Sequence, residues 1–187
     1  MQTLLRKIHS ATKAFRDDTR GTVAIEAVIM MPVLFWAFMS MAIFFDMYRA
    51  KSTTEKAAFT ISDILSRETA AIDENYMSSV KELYNTMSTL EDGGELRVSV
   101  IAFNATSNEY FLDWSYMTGM LPNHLTNDDL LLLADNLPIL VSGERLILVE
   151  TFGTYEPAAN IGTGDVPMDT FVFTRPRFAP QLVWDGA

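Results

Sequence analysis

The chain has 187 residues, enough for one ordinary domain and too few for two full-sized ones. It contains no cysteine, which excludes a disulfide scaffold and any thiolate-ligated zinc or iron–sulfur centre. Its 14 basic residues face 24 acidic ones for a formal net charge of −10, the wrong balance for binding nucleic acid, where phosphates demand a local excess of Lys and Arg. The N-terminal segment runs against this balance, with Arg6, Lys7, Lys13, Arg16 and Arg20 in the first twenty residues. Among them Leu4, Leu5, Ile8, Ala11 and Phe15 form an apolar face suited to an anionic leaflet. A topogenic leader without a stable helix is the plainer reading of the same residues.

The leader ends in Arg20-Gly21-Thr22-Val23-Ala24-Ile25-Glu26, where Gly21 is the only glycine before Gly93. From Ala27 to Phe45 follow 19 uncharged residues with Ser40 as the only hydroxyl. At about 1.5 Å per helical residue such a run nearly crosses a hydrocarbon core of about 30 Å. It lacks the polar stripe of a soluble core helix, so a transmembrane helix is predicted. A cleaved secretory signal fits less well, because the run ends in bulky Phe44-Phe45-Asp46-Met47-Tyr48 without small residues beyond it. Glu26 then stands at the edge of a membrane span, where a carboxylate needs a partner, a function or access to the headgroups. Five basic residues before the span outweigh Arg49, Lys51 and Lys56 after it, which places the N-terminus in the cytoplasm. The 142 residues after Phe45 would be exported; they hold 21 acidic and 9 basic residues, a net charge of −12.

Between Gly21 and Gly93 the only helix breaker is Pro32, so helix is permitted far past the bilayer. Met47, Ala50, Thr54, Ala57 or Ala58, Ile61 and Leu65 recur at three- and four-residue steps, an apolar face over a helix reaching about residue 66. Tyr76, Val80, Leu83, Met87 and Leu90 predict a second amphipathic helix with Asp73 as N-cap. After Gly94 the period shortens. Leu96 to Phe103 alternates as a strand, and Glu109 to Trp114 could return beside it across an Asn104 to Asn108 turn. Leu125 to Leu140 is expected to be a short helix broken before Pro138, with Arg145 to Tyr155 and Thr170 to Thr174 as later strands and Asn160 to Pro167 as a loop. The expected fold is α+β: a leader over 1–21, a transmembrane and extended amphipathic helix over 22–66, and an exported domain over 67–187 in which helices pack on a small antiparallel sheet.

No catalytic, cofactor or metal constellation stands out. The two histidines, His9 and His124, would lie on opposite sides of the membrane. Asp128 and Asp129 are adjacent on a helix start, where the dipole accounts for them. Gly162-Thr163-Gly164 lacks the third glycine of a dinucleotide loop, and Asn104-Ala105-Thr106 is a short glycosylation-type tripeptide.

The junction nevertheless carries a resemblance. A basic leader, a glycine, four residues and a glutamate inside an apolar helix look like the type IV prepilin processing motif. More widely, FRDDTRG, TVAIEA, Pro32, KSTTEKAAF and the late LILVETFGTYEP resemble the TadE-like proteins of tight-adherence (Tad, or Flp) pilus systems, best over Phe15 to Phe59. The resemblance implies an inner-membrane minor pseudopilin or assembly factor with a periplasmic C-terminal domain. It implies cleavage by a prepilin peptidase after Gly21, with Thr22 as the new N-terminus. Glu26 would then pair with the terminal amine of a neighbouring pilin-like subunit. Typical prepilins carry Phe or Met where this chain has Thr22. The implied partners are the bilayer, the peptidase and other pilin-like subunits or the assembly platform, with no nucleic acid, small-molecule substrate or cofactor. The residues alone also fit an uncleaved, membrane-anchored periplasmic scaffold or sensor, and more distantly an anchored enzyme.

Overall fold

The computed structural model describes residues 12–18, 20–119 and 123–186. The leader's Leu4, Leu5, Ile8, His9 and Ala11 lie outside them, as does Pro122. The chain divides into two compact units, Met1–Phe44 and Phe45–Ala187. The first contains a helical stretch over 12–17 and the apolar part of a helix, α1, Arg20–Arg67. Pro32 sits inside α1 without ending it. The apolar side chains of this part, from Val23 to Phe38, are exposed, unlike those of a soluble core helix, and α1 is long and apolar enough to cross a membrane.

The second unit is α+β. The remainder of α1 buries Ala50, Thr54, Ala57, Ala58, Ile61 and Leu65 along one face, while Phe59 on the other face is exposed. Four of these positions carry small residues, Ala50, Thr54, Ala57 and Ala58. The helix ends where the Ser66 carbonyl accepts the Arg177 N–H at 2.7 Å. Past Arg67, the Glu68 carboxylate accepts the Thr69 and Ala70 N–H groups, and the Ala70 bond leads in holding its pKa below the ordinary value. Helix α2, Glu74–Met87, is capped by Asp73, which accepts the Tyr76 N–H at 2.8 Å. It stops one turn short of the predicted stripe. Leu90 lies beyond it and is buried in a small cluster with Ala50, Tyr155 and Met168.

Five antiparallel strands form the sheet: β1 Gly94–Asn104, β2 Glu109–Met117, β3 Arg145–Tyr155, β4 Val166–Pro167 and β5 Thr170–Thr174. The order is β2-β1-β3, after which β3 pairs with β4 at its end and with β5 along its middle. The short β4 corrects the expectation of a loop throughout Asn160 to Pro167: Val166 and Pro167 pair with Tyr155 and Thr154. One sheet face carries Leu96, Val98, Val100, Ile147 and Val149 against Ile61 and Leu65 of α1 and Met77, Val80 and Tyr84 of α2. The other carries Ile101, Leu146 and Leu148 against Leu125, Leu130, Leu137 and Leu140. The predicted Leu125 to Leu140 helix resolves into a shorter α3, Asn127–Leu133, and a 3-10 turn, Ala134–Asn136. Thr126 and Asp129 close a reciprocal capping box at its start.

Arg97 of β1 and Glu150 of β3 are register partners on that second face. Arg97 Nε and Nη2 donate to the two Glu150 carboxylate oxygens at 2.6 and 2.7 Å, and Nη1 donates to the Asn123 carbonyl at 2.8 Å. Both side chains are nearly buried, and the guanidinium lies 5.2 Å from the Phe152 ring centroid. Removing one partner strands the other charge away from water. Arg97→Ala is therefore expected to destabilise the protein by about 3–5 kcal/mol in denaturant unfolding, whereas an Arg97→Met/Glu150→Leu pair recovers most of that loss.

Candidate functional site

Gly21, Thr22 and Glu26 all fall in the first two turns of α1 and are exposed. A methyl group on Gly21 would meet no atom within 4 Å, so crowding does not explain the glycine. Its effect is on the backbone. Glycine weakens a helix by about 1 kcal/mol relative to alanine, and the first-turn N–H groups have no intrahelical acceptor. The Gly21–Thr22 peptide bond thus lies in a turn that costs less to unwind than one in the helix interior. No acidic residue occupies that first turn. The Glu26 carboxylate, in the second turn, makes no ion pair or hydrogen bond among the described residues.

The apolar run ends in exposed Phe44 and Phe45, and exposed Tyr48 follows them, a side chain of the kind that populates membrane–water interfaces. Asp46 among them accepts a 2.7 Å hydrogen bond from the Tyr155 hydroxyl at the end of β3. The bond ties α1 to the sheet at the opposite end of β3 from Arg145. Desolvation first, then the hydrogen bond and charge of Asp46, pushes the Tyr155 phenol from 10.0 up to about 12.

The other residues singled out in the sequence do not converge. His124 places Nδ1 3.0 Å from the Ser115 carbonyl and its ring beside Tyr116. Asp129 caps α3, with its carboxyl held below the ordinary range chiefly by the Thr126 hydroxyl. Gly162 and Gly164 both adopt positive φ, 103° and 63°, in an exposed turn where Gly162 donates its N–H to the Asn160 side chain. Asn104-Ala105-Thr106 forms the β1–β2 turn, with the Asn104 side chain accepting the Thr106 N–H. Among the described residues no three His, Asp or Glu side chains gather in a form that could hold a metal ion.

A cleft of about 380 Å3 is lined by Arg97, His124, Asp129, Leu132 and Glu150. Sequence reading missed it because Arg97 and Glu150 are 53 residues apart; only strand register joins them. Arg97 there is committed to Glu150, Asn123 and Phe152, so this pair serves packing. No family model, characterised protein or solved structure matches this chain.

The Tyr155–Asp46 bond has a pH signature. A folded-state pKa raised from 10.0 to about 12 stabilises fully below pH 10, and the contribution is lost as pH rises toward 12. Tyr155→Phe is expected to lower the melting temperature at pH 7, with the gap to wild type closing between pH 10 and 12 in thermal circular dichroism.

Proposed function

We propose that this chain is a TadE-like minor pseudopilin or membrane-anchored assembly factor of a tight-adherence pilus, a single-pass inner-membrane protein with a cytoplasmic N-terminus and a periplasmic C-terminal domain. The observation that carries the reading is the position of Gly21 and Glu26 in the first two turns of one helix whose next part is apolar and exposed. A prepilin peptidase cutting after Gly21 would leave Thr22 with a cationic amine at the start of that helix. In a bundle of pilin-like helices, Glu26 and a neighbour's amine would each find an opposite charge, which spares both the penalty of standing unpaired in an apolar core. The acidic domain after Phe45 would supply contacts with other subunits or the assembly platform. This is a role in assembly, not in catalysis.

Intact mass and N-terminal sequencing of the protein from its membrane, with the peptidase present and then deleted, test the reading. The expected result is a peptidase-dependent start at Thr22, abolished by Gly21→Leu. Retention of the first 21 residues in both strains would replace the pseudopilin with a permanently anchored scaffold. Glu26→Ala is expected to insert normally and to co-purify with pilin-like subunits at least about tenfold less well, a loss on the order of 1.4 kcal/mol.

A further inference from the structure

A second cleft, of about 360 Å3, lies on the sheet face that carries α1 and α2 and is lined by Asp113, Trp114, Arg145, Gln181, Val183 and Trp184, with Leu182. Its volume falls toward the low end of small-molecule sites, roughly 300–1,000 Å3. The first notable feature is a break in strand register. Val100 pairs with Trp114 while Ile101 pairs with Leu112, so Asp113 is the extra residue of a β-bulge. Bulges re-aim side chains and occur beside functional sites. Here the re-aimed carboxylate meets Arg145, whose Nε donates to Asp113 Oδ2 at 2.6 Å across the narrow Ala102 position between them.

The aromatic wall is equally fixed. The C-terminal segment is held by the Ile72 N–H donating to the Val183 carbonyl and the Asp185 N–H donating to the Ile72 carbonyl, both at 2.9 Å. Trp114 Nε1 donates to the Leu182 carbonyl at 3.0 Å. Trp184 packs 5.4 Å from Trp114 and stacks on Tyr116 at 4.4 Å. Both indoles are only half-buried, so this wall is preformed and still reachable by solvent.

The polar groups keep unused capacity. The ion pair engages one carboxylate oxygen and one of the five guanidinium N–H donors. Gln181 makes no side-chain hydrogen bond among the described residues. A planar acid, a planar base and a primary amide therefore face a tryptophan-lined wall, and the two charges cancel. A pyranose ring has the matching chemistry: C–H faces that pack on indoles, and a rim of hydroxyls that each donate and accept.

We propose that this cleft binds a short neutral saccharide, with Trp114 and Trp184 packing on the sugar ring and Asp113, Arg145 and Gln181 bonding its hydroxyls. Binding needs no bond to be made or broken in the sugar, and it is independent of leader processing.

The test uses the full chain in lipid nanodiscs assembled without glycoside detergents, titrated with the methyl glycosides of glucose, galactose, mannose and N-acetylglucosamine. Saturation-transfer NMR and tryptophan emission report binding; of the three tryptophans only Trp36 lies outside the cleft. At least one probe should saturate both signals. Trp184→Ala should abolish binding, and Gln181→Ala should weaken it about fivefold, as expected for one lost hydrogen bond. Should Trp184→Ala lose its native circular dichroism, Gln181→Ala decides. Failure of all four probes to saturate, or unchanged affinity in the folded variants, would overturn the proposal.

Discussion

The seam between the second half of α1 and the sheet is the contact on which the folded unit depends. An amphipathic helix cannot bury its apolar stripe alone, and neither can a sheet with apolar residues on both faces. Ala57, Ile61 and Leu65 meet Leu96, Val98, Val100, Ile147 and Val149, with α2 completing the layer. Ala57 at this seam has no side-chain rotamers to lose on burial. A bulky substitution at Ala57 or Ala58, both fully buried, would have to move the helix as a whole.

Polar groups then determine how the elements sit on this seam. Arg97 and Glu150 fix the register of β1 against β3 on the opposite face, since a one-residue slip would separate the charges. Tyr155 and Asp46 pin the far end of β3 to α1. Lys81 Nζ donates to both Glu95 oxygens at 2.7 Å, and Thr118 donates to one of them. Although desolvation opposes it, this set holds the Glu95 carboxyl below its ordinary pKa. The C-terminal segment bonds to Ile72 and closes the apolar layer, which places Trp184 at the rim of the second cleft.

Local signals in the sequence matched local structure. Asp73 caps α2 as expected, because a side-chain oxygen reaching an N–H three residues on needs no distant partner. The strands that begin at Gly94, Glu109, Arg145 and Thr170 lie where the sequence predicts them, the first from its alternation over Leu96 to Phe103. Where burial depends on a distant partner, local spacing does not report it. Leu90 continued the helical spacing of α2, yet it packs with Ala50, Tyr155 and Met168 after the helix has ended. Val166 and Pro167 carry the composition of a loop, and they pair because the end of β3 offers them an edge. The leucines after Leu133 kept a helical look, but Leu137 and Leu140 reach the sheet by leaving the helix.

From composition and period alone came the apolar run, the α+β class, the buried face of α1 and the glycine–glutamate junction, all properties carried by residues within a few turns of one another. The register of Arg97 with Glu150, the bulge that turns Asp113 toward Arg145, and the meeting of Trp114 with Trp184 came only with the tertiary structure. Trp114 and the Leu182 carbonyl it bonds are 68 residues apart. Nothing in the spacing of such residues reports their contact, because the free energy that joins them is released only when the whole apolar layer between them closes.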